Sequence, residues 1–153
     1  MGINVNRIIV SVGGIGFLPL APGTWASMFA CIVWYFISRL AGDHYSWQVI
    51  LVIAALLIGI IASGKAVTDE DKDPSHIVID ELAGMWISII VIPATIPNLI
   101  AGFILFRFFD ITKPFGIKRM ENYRSGWGIM LDDALAGIYS NILLRVILLY
   151  GVW

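Results

Sequence analysis

Charge is what this chain has least of. Charged side chains make up 14% of its 153 residues, where a soluble domain carries about 25%, and none lies between Arg7 and Arg39. Cysteine occurs once, as Cys31 in an apolar run, which excludes an internal disulfide scaffold. With only two histidines, His44 and His76, the sequence has neither a Cys/His metal cluster nor a histidine-based phosphatase constellation. The net charge of −1 shows no excess of either sign, so the basic footprint of a nucleic-acid binder is missing. No long internal repeat is present. No small-residue cleavage pattern follows the first apolar stretch, so a removable signal peptide is not expected. Asn6 stands where a myristoylation signal needs Ser or Thr, so a lipid anchor is not expected either.

What is abundant is apolar surface. Hydrophobic residues make up 59% of the chain and the mean hydropathy is +0.86. A single water-soluble domain of this length cannot bury so much, because small domains have an unfavourable ratio of surface to volume. The composition therefore predicts one membrane-embedded domain over residues 1–153, with the bilayer as its main partner. The expected fold class is all-α, a polytopic helical bundle. Five helices are predicted, at Thr24–Leu40, Trp47–Ala66, Ile77–Ile92, Asn98–Thr112 and Gly128–Tyr150. Gly13, Gly14, Gly16, Pro19, Pro22 and Gly23 break the chain before the first helix. Residues Ile15–Gly23 thus read as a re-entrant or interfacial loop, and Thr24 as the cap of the helix that follows. Irregular backbone at membrane depth needs protein or water to satisfy it, so this loop is expected beside a site. The polar stretch 68–75 and the basic stretch 113–127 read as loops.

Lys and Arg in short loops set membrane orientation. With the N-terminus inside, Arg7, Lys65, Lys72, Lys113, Lys118, Arg119 and Arg124 fall inside, while the outer loops 41–46 and 93–98 hold no Lys or Arg. The same orientation brings Asp80 and Glu81, Arg107, Asp110 and Lys113, Asp132 and Asp133, and the Pro22-Gly23-Thr24 turn to that one face.

Two of these segments echo each other: Asp80-Glu81 is followed by Gly84, and Asp132-Asp133 by Gly137. One carboxylate at a helix start suits the macrodipole. Two adjacent ones in otherwise nearly uncharged helices do not follow from it, and acids at membrane depth cost about 2.5–3.5 kcal/mol unless partnered or functional. Arg107, Asp110 and Lys113 are spaced three apart, as in an ion-pair ladder or as cations that flank a metal-binding carboxylate. Asp80, Glu81, Asp110, Asp132 and Asp133 together offer hard oxygen donors without Cys or His, a set that selects Mg²⁺ over transition metals. Such a cation polarises a phosphoryl oxygen, and Arg and Lys stabilise the charge that develops. His44 falls in an outer loop. His76 stands one turn before Asp80, within reach of the site. Gly13-Gly14-Ile15-Gly16 lacks the βαβ context of a dinucleotide fingerprint.

Four blocks now stand in order: Leu20-Ala21-Pro22-Gly23-Thr24-Trp25-Ala26-Ser27, Ile79-Asp80-Glu81-Leu82-Ala83-Gly84, Phe106-Arg107-Phe108-Phe109-Asp110-Ile111-Thr112-Lys113-Pro114 and Gly126-Trp127-Gly128-Ile129-Met130-Leu131-Asp132-Asp133. In order and spacing they resemble the phosphatidylglycerophosphatase A family across nearly the whole chain. Ala26 stands where many relatives carry Gly. The resemblance implies a Mg²⁺-dependent phosphatase of the bacterial inner membrane that converts phosphatidylglycerophosphate to phosphatidylglycerol in phospholipid biosynthesis, and the loop charges put its site on the cytoplasmic face. Carried over residue by residue, it implies catalytic and metal roles among Asp80, Glu81, Asp110, Asp132 and Asp133, and substrate binding by Thr24, Arg107 and Lys113. Asp73 and His76 stand just before the Asp-Glu block as further candidates. The competing class is a small ion or proton transporter, whose acids belong near the midplane in duplicated halves. A phospholipid-forming phosphotransferase is a second competitor, but its long Asp-Gly…Ala-Arg…Gly…Asp signature is absent.

Overall fold

The computed structural model describes residues 5–42, 44–68, 74–123 and 126–151. Among them every regular element is helical: α1 (Val5–Val10), α2 (Pro22–Ala41), α3 (Tyr45–Ala66), α4 (Ile79–Ile89), α5 (Ile96–Thr112) and α6 (Gly126–Leu149). Single 3-10 segments at Ile15–Phe17 and Ile117–Asn122 interrupt the loops. The five helices read from the sequence are α2 to α6. The short α1 and the two 3-10 segments add to that reading, since elements of six residues or fewer are too short to show a periodicity.

Local chemistry sets the helix ends. Pro22 starts α2 with its fixed φ, and the residue before it, Ala21, is left-handed at φ 46° with no side-chain cap. Thr24 therefore sits inside the first turn and is not the cap that the sequence suggested. Ser27 donates its hydroxyl hydrogen to the Gly23 carbonyl at 2.8 Å, deep inside the protein. In α5 the cap is Thr95, whose Oγ1 accepts from the Asn98 amide at 3.4 Å. Lys113 ends the same helix in a left-handed conformation, φ 44°, just before Pro114.

The largest departure from expectation is α4. It holds 11 residues, which span about 16 Å, well short of a hydrocarbon core about 30 Å thick. Ile79 and every residue from Leu82 to Ile89 are buried, because α2, α3, α5 and α6 all pack around it. The chain then leaves the helix through Val91 at φ 57° instead of continuing to Ile92. The freed backbone groups find side-chain partners. Asn141 Nδ2 donates to the carbonyls of Ser88 and Ile90 at 3.1 and 3.0 Å. Arg145 donates to Ile90 and Val91 at 3.1 and 3.2 Å, and the Val91 amide donates to Gln48 Oε1 at 2.7 Å. Trp34, Trp47 and Trp86 pack their rings together, with centroids 5.1 and 5.9 Å from that of Trp34. Trp86 Nε1 donates to the Ala30 carbonyl at 3.1 Å and ties α4 to α2.

Two helices, α2 and α3, are long and apolar enough to cross a membrane. The 24 residues of α6 are long enough, but they include Asp132, Asp133 and Arg145. The 17 residues of α5 reach about 25 Å. Large apolar side chains face outward on α2, α3, α5 and α6, among them Phe36, Ile53, Leu57, Ile104 and Ile142. Helices consecutive in the chain from α2 to α6 alternate in direction: Gly23 lies on Glu81, Gly126 on Gly64 and Lys113 on Asp132, so the N-terminal ends of α2, α4 and α6 meet the C-terminal ends of α3 and α5.

Candidate active site

Close backbone approach builds this end of the bundle. A Cβ on Gly137 would collide with the Gly84 carbonyl, and one on Gly84 would lie 2.7 Å from the Asp133 carbonyl. The two glycines that follow the acidic pairs thus face each other, and α4 and α6 share the most extensive helix contact in the protein. A Cβ on Gly126 would run into the backbone of Ile60 and Gly64, which seats the start of α6 on the end of α3.

That crossing brings Asp80 and Glu81 of α4 beside Asp133 of α6. Each offers a carboxylate oxygen, and the three oxygens lie within 4.8 Å of one another. Asp80 Oδ1, Glu81 Oε2 and Asp133 Oδ2 are buried with no hydrogen-bond partner among the described residues. Asp110 lies beside Glu81 and Asp133. Asp132 is 6% exposed, and its Oδ1 accepts from the Asp133 amide at 3.0 Å.

The cations flank this cluster through two different ion pairs. Arg107 binds Asp110 on its own helix at 2.5 Å. Lys113 reaches across to Asp132 on α6, also at 2.5 Å. Of the two readings of this spacing, the ladder holds only for Arg107 and Asp110: Lys113 lies beyond the last helical turn, and its left-handed backbone directs it to a different carboxylate. Arg107 Nε is buried without a hydrogen-bond partner among the described residues, so its guanidinium keeps a donor that none of them uses.

The Pro/Gly-rich segment lies against this end, as its composition suggested. Gly23 packs so closely on Glu81 that a Cβ would occupy the position of Oε1. Thr24 is the next residue, half-buried in the first turn of α2. The earlier part of the segment packs elsewhere. Gly16 lies on the backbone of His76, and the Val78 amide donates to the Val10 carbonyl at 2.9 Å. His76 stacks on Phe17 at 5.4 Å between ring centroids, and Arg7 covers that ring at 4.7 Å. Among the described residues, His76 thus packs on the loop and not on the carboxylates. Asp73, Lys72 and Arg124 lie outside the described residues. Gly23 is the site residue whose role sequence reasoning missed. Its position in the Pro22-Gly23-Thr24 turn was visible, but its contact with Glu81 was not.

Five carboxylates against two cations make a cluster with an excess of negative charge. Three oxygens without donors would repel one another in a medium that screens poorly. The arrangement fits a small hard cation bound by Asp80, Glu81 and Asp133, because its donors are all oxygen and already converge.

The chain is similar to known proteins along most of its length. The profile of the family described as phosphatidylglycerophosphatase A matches residues 8–148. A protein of Bacteroides thetaiotaomicron, provisionally named as a phosphatidylinositol-3-phosphatase, is 41% identical over 146 residues, covering 91% of each chain. The phosphatidylglycerophosphatase A of Haemophilus influenzae is 38% identical over 91% of this chain and 86% of its own. That of Escherichia coli is 35% identical over 86% of this chain and 77% of its own. No solved structure matches the chain.

Proposed function

This chain belongs to the phosphatidylglycerophosphatase A family, and from that premise we propose that it hydrolyses the terminal phosphate of phosphatidylglycerophosphate at the cytoplasmic face of a bacterial inner membrane. The observation that carries the reading is the triad Asp80, Glu81 and Asp133, each with one buried carboxylate oxygen that lacks a partner among the described residues, flanked by Arg107 and Lys113 at one end of a bundle with an apolar exterior. Neither the geometry nor the relatives support a transporter: the acids gather at one end, and the relatives are named as lipid phosphatases.

In this reading α2, α3, α5 and α6 cross the bilayer around the enclosed α4. Asp80, Glu81 and Asp133 would hold Mg²⁺, with Asp110 and Asp132 beside them. Bound there, the ion would supply Lewis acidity to a phosphoryl oxygen. Arg107 would offer its unused Nε donor to the phosphate, while Asp110 fixes the orientation of its guanidinium. Lys113, held by Asp132, would add a second positive charge beside the equatorial oxygens. Thr24, in the α2 turn beside Gly23 and Glu81, would offer a hydroxyl to the head group. Hydrolysis adds the oxygen of water to phosphorus, breaks the ester bond and returns a proton to the departing glycerol oxygen. One of the site carboxylates accepts the proton that the water loses.

The 41% identity to the Bacteroides protein favours one rival substrate, a phosphoinositide carrying a 3-phosphate. The test is phosphate release by the purified chain from each of these lipids, with Mg²⁺ and with EDTA. Release from phosphatidylglycerophosphate that EDTA abolishes and Mg²⁺ restores is the expected result. Turnover of the inositide alone would overturn the substrate, and full activity in EDTA would overturn the metal.

A further inference from the structure

Between α2 and α5 runs a groove of about 350 Å³ with apolar walls, formed by Met28, Cys31 and Tyr35 on one side and Leu99, Ile100 and Phe103 on the other. Its direction ties it to the site. At about 100° per residue, Thr24 falls on the same α2 face as Cys31, Met28 and Tyr35, within roughly 60°. On α5, Asp110 falls between Leu99 and Phe103 within about 40°, and Arg107 lies about 40° further round. One helical turn, about 6 Å, separates Met28 from Thr24 and Phe103 from Arg107. The groove therefore ends among the polar groups proposed to hold the phosphate.

We infer that this groove holds one acyl chain of the lipid phosphomonoester whose head group reaches the carboxylate cluster. The inference rests on the phosphatase reading and adds to it a subsite that selects for chain length. An amphiphile fits both ends: apolar walls along the groove, and Thr24, Arg107 and Asp110 at its mouth. A partner helix of uniform apolar character would leave those polar groups facing hydrocarbon, which is costly. The outward face of α3 at Ile50, Ile53 and Leu57 ends two helical turns short of the exposed Lys65 and serves as the comparison surface for ordinary lipid.

The test uses the full chain in phosphatidylcholine nanodiscs and two photoreactive lipids, phosphatidic acid and phosphatidylcholine, each with a diazirine in one acyl chain. The phosphatidic acid probe should label 28–36 and 96–103 severalfold more than the phosphatidylcholine probe, and unlabelled phosphatidic acid should suppress the excess. Both probes should label 49–57 equally. Equal labelling of the groove by both probes, or labelling that unlabelled phosphatidic acid does not reduce, overturns the subsite. This arm needs no turnover, so it separates failure of the groove from failure of the proposed reaction. In a second arm, Cys31→Phe and Ile100→Phe should each lower kcat/KM for long-chain relative to short-chain phosphatidylglycerophosphate by about tenfold or more, the scale on which a hydrophobic pocket discriminates. An unchanged ratio in both variants overturns the inference. So does a stable dimer of the parent chain that Cys31→Phe dissociates, because the groove would then be a subunit interface.

Discussion

Gly23 lacks a side chain where Glu81 already fills the space. The atom in conflict is the far end of a flexible side chain, so Gly23→Ala should fold almost normally while it pushes the Glu81 carboxylate out of place. Displacements of about 1 Å near a reacting centre cost about a hundredfold in rate. We expect a loss of that size in phosphate release, with a thermal midpoint in detergent close to the parent's. A midpoint that falls along with activity would show that Gly23 supports the fold instead of the site. The carboxylates give a complementary test. Asp80→Asn, Asp110→Asn and Asp132→Asn preserve shape and remove one charge each, and each should lose activity by orders of magnitude while still inserting and purifying. Near-normal turnover in all three would reduce these acids to helix-end and ion-pair partners.

At the scale of elements, α4 depends on its neighbours. With 11 residues it cannot present a spanning surface, and its broken C-terminal end is tolerated because Asn141, Arg145 and Gln48 take up the backbone groups it leaves. Asn141→Leu removes two of those donors without much change in volume. Each buried group left unsatisfied costs about 1–3 kcal/mol. The variant should therefore lose stability on that order, read as a lower midpoint of thermal unfolding in detergent. A midpoint equal to the parent's would mean that water or lipid head groups reach the end of α4. The same short helix carries Asp80 and Glu81 at its other end, so partial loss of activity is expected as α4 loosens.

For the whole molecule, the proposed reaction needs the polar end to face the compartment where the lipid phosphate is made. The charge bias places Arg7, Lys65, Lys113, Lys118 and Arg119 on the carboxylate side. The basic residues near Lys113 would also attract anionic head groups, at about 1 kcal/mol for each Lys or Arg near the surface. Orientation is tested in a Cys31→Ser background with one new cysteine at exposed His44 or exposed Lys118. In intact cells an impermeant thiol reagent should label the cysteine at 44 and spare the one at 118. The opposite pattern would put the site on the outer face and remove the case for a substrate made inside.

Much of this architecture could be read from residues in order. Hydropathy located α2, α3, α5 and α6 to within about two residues, because long apolar runs between charges have few alternatives in a bilayer. The loop charges and the four motif blocks assigned the polar residues to one end. Other features are set by packing across distant segments. The length of α4 was misread because an enclosed helix and a spanning one are both apolar, and only the side chains of Gln48, Asn141 and Arg145 reveal where it stops. Equal spacing left Arg107, Asp110 and Lys113 open to two readings, a ladder or cations flanking a carboxylate, and the left-handed turn at Lys113 sends that side chain to Asp132. The sequence alone could determine that five carboxylates gather at one end. Only the crossing of Gly84 over Gly137 decides that Asp80, Glu81 and Asp133 converge, because that convergence depends on how closely two backbones can approach.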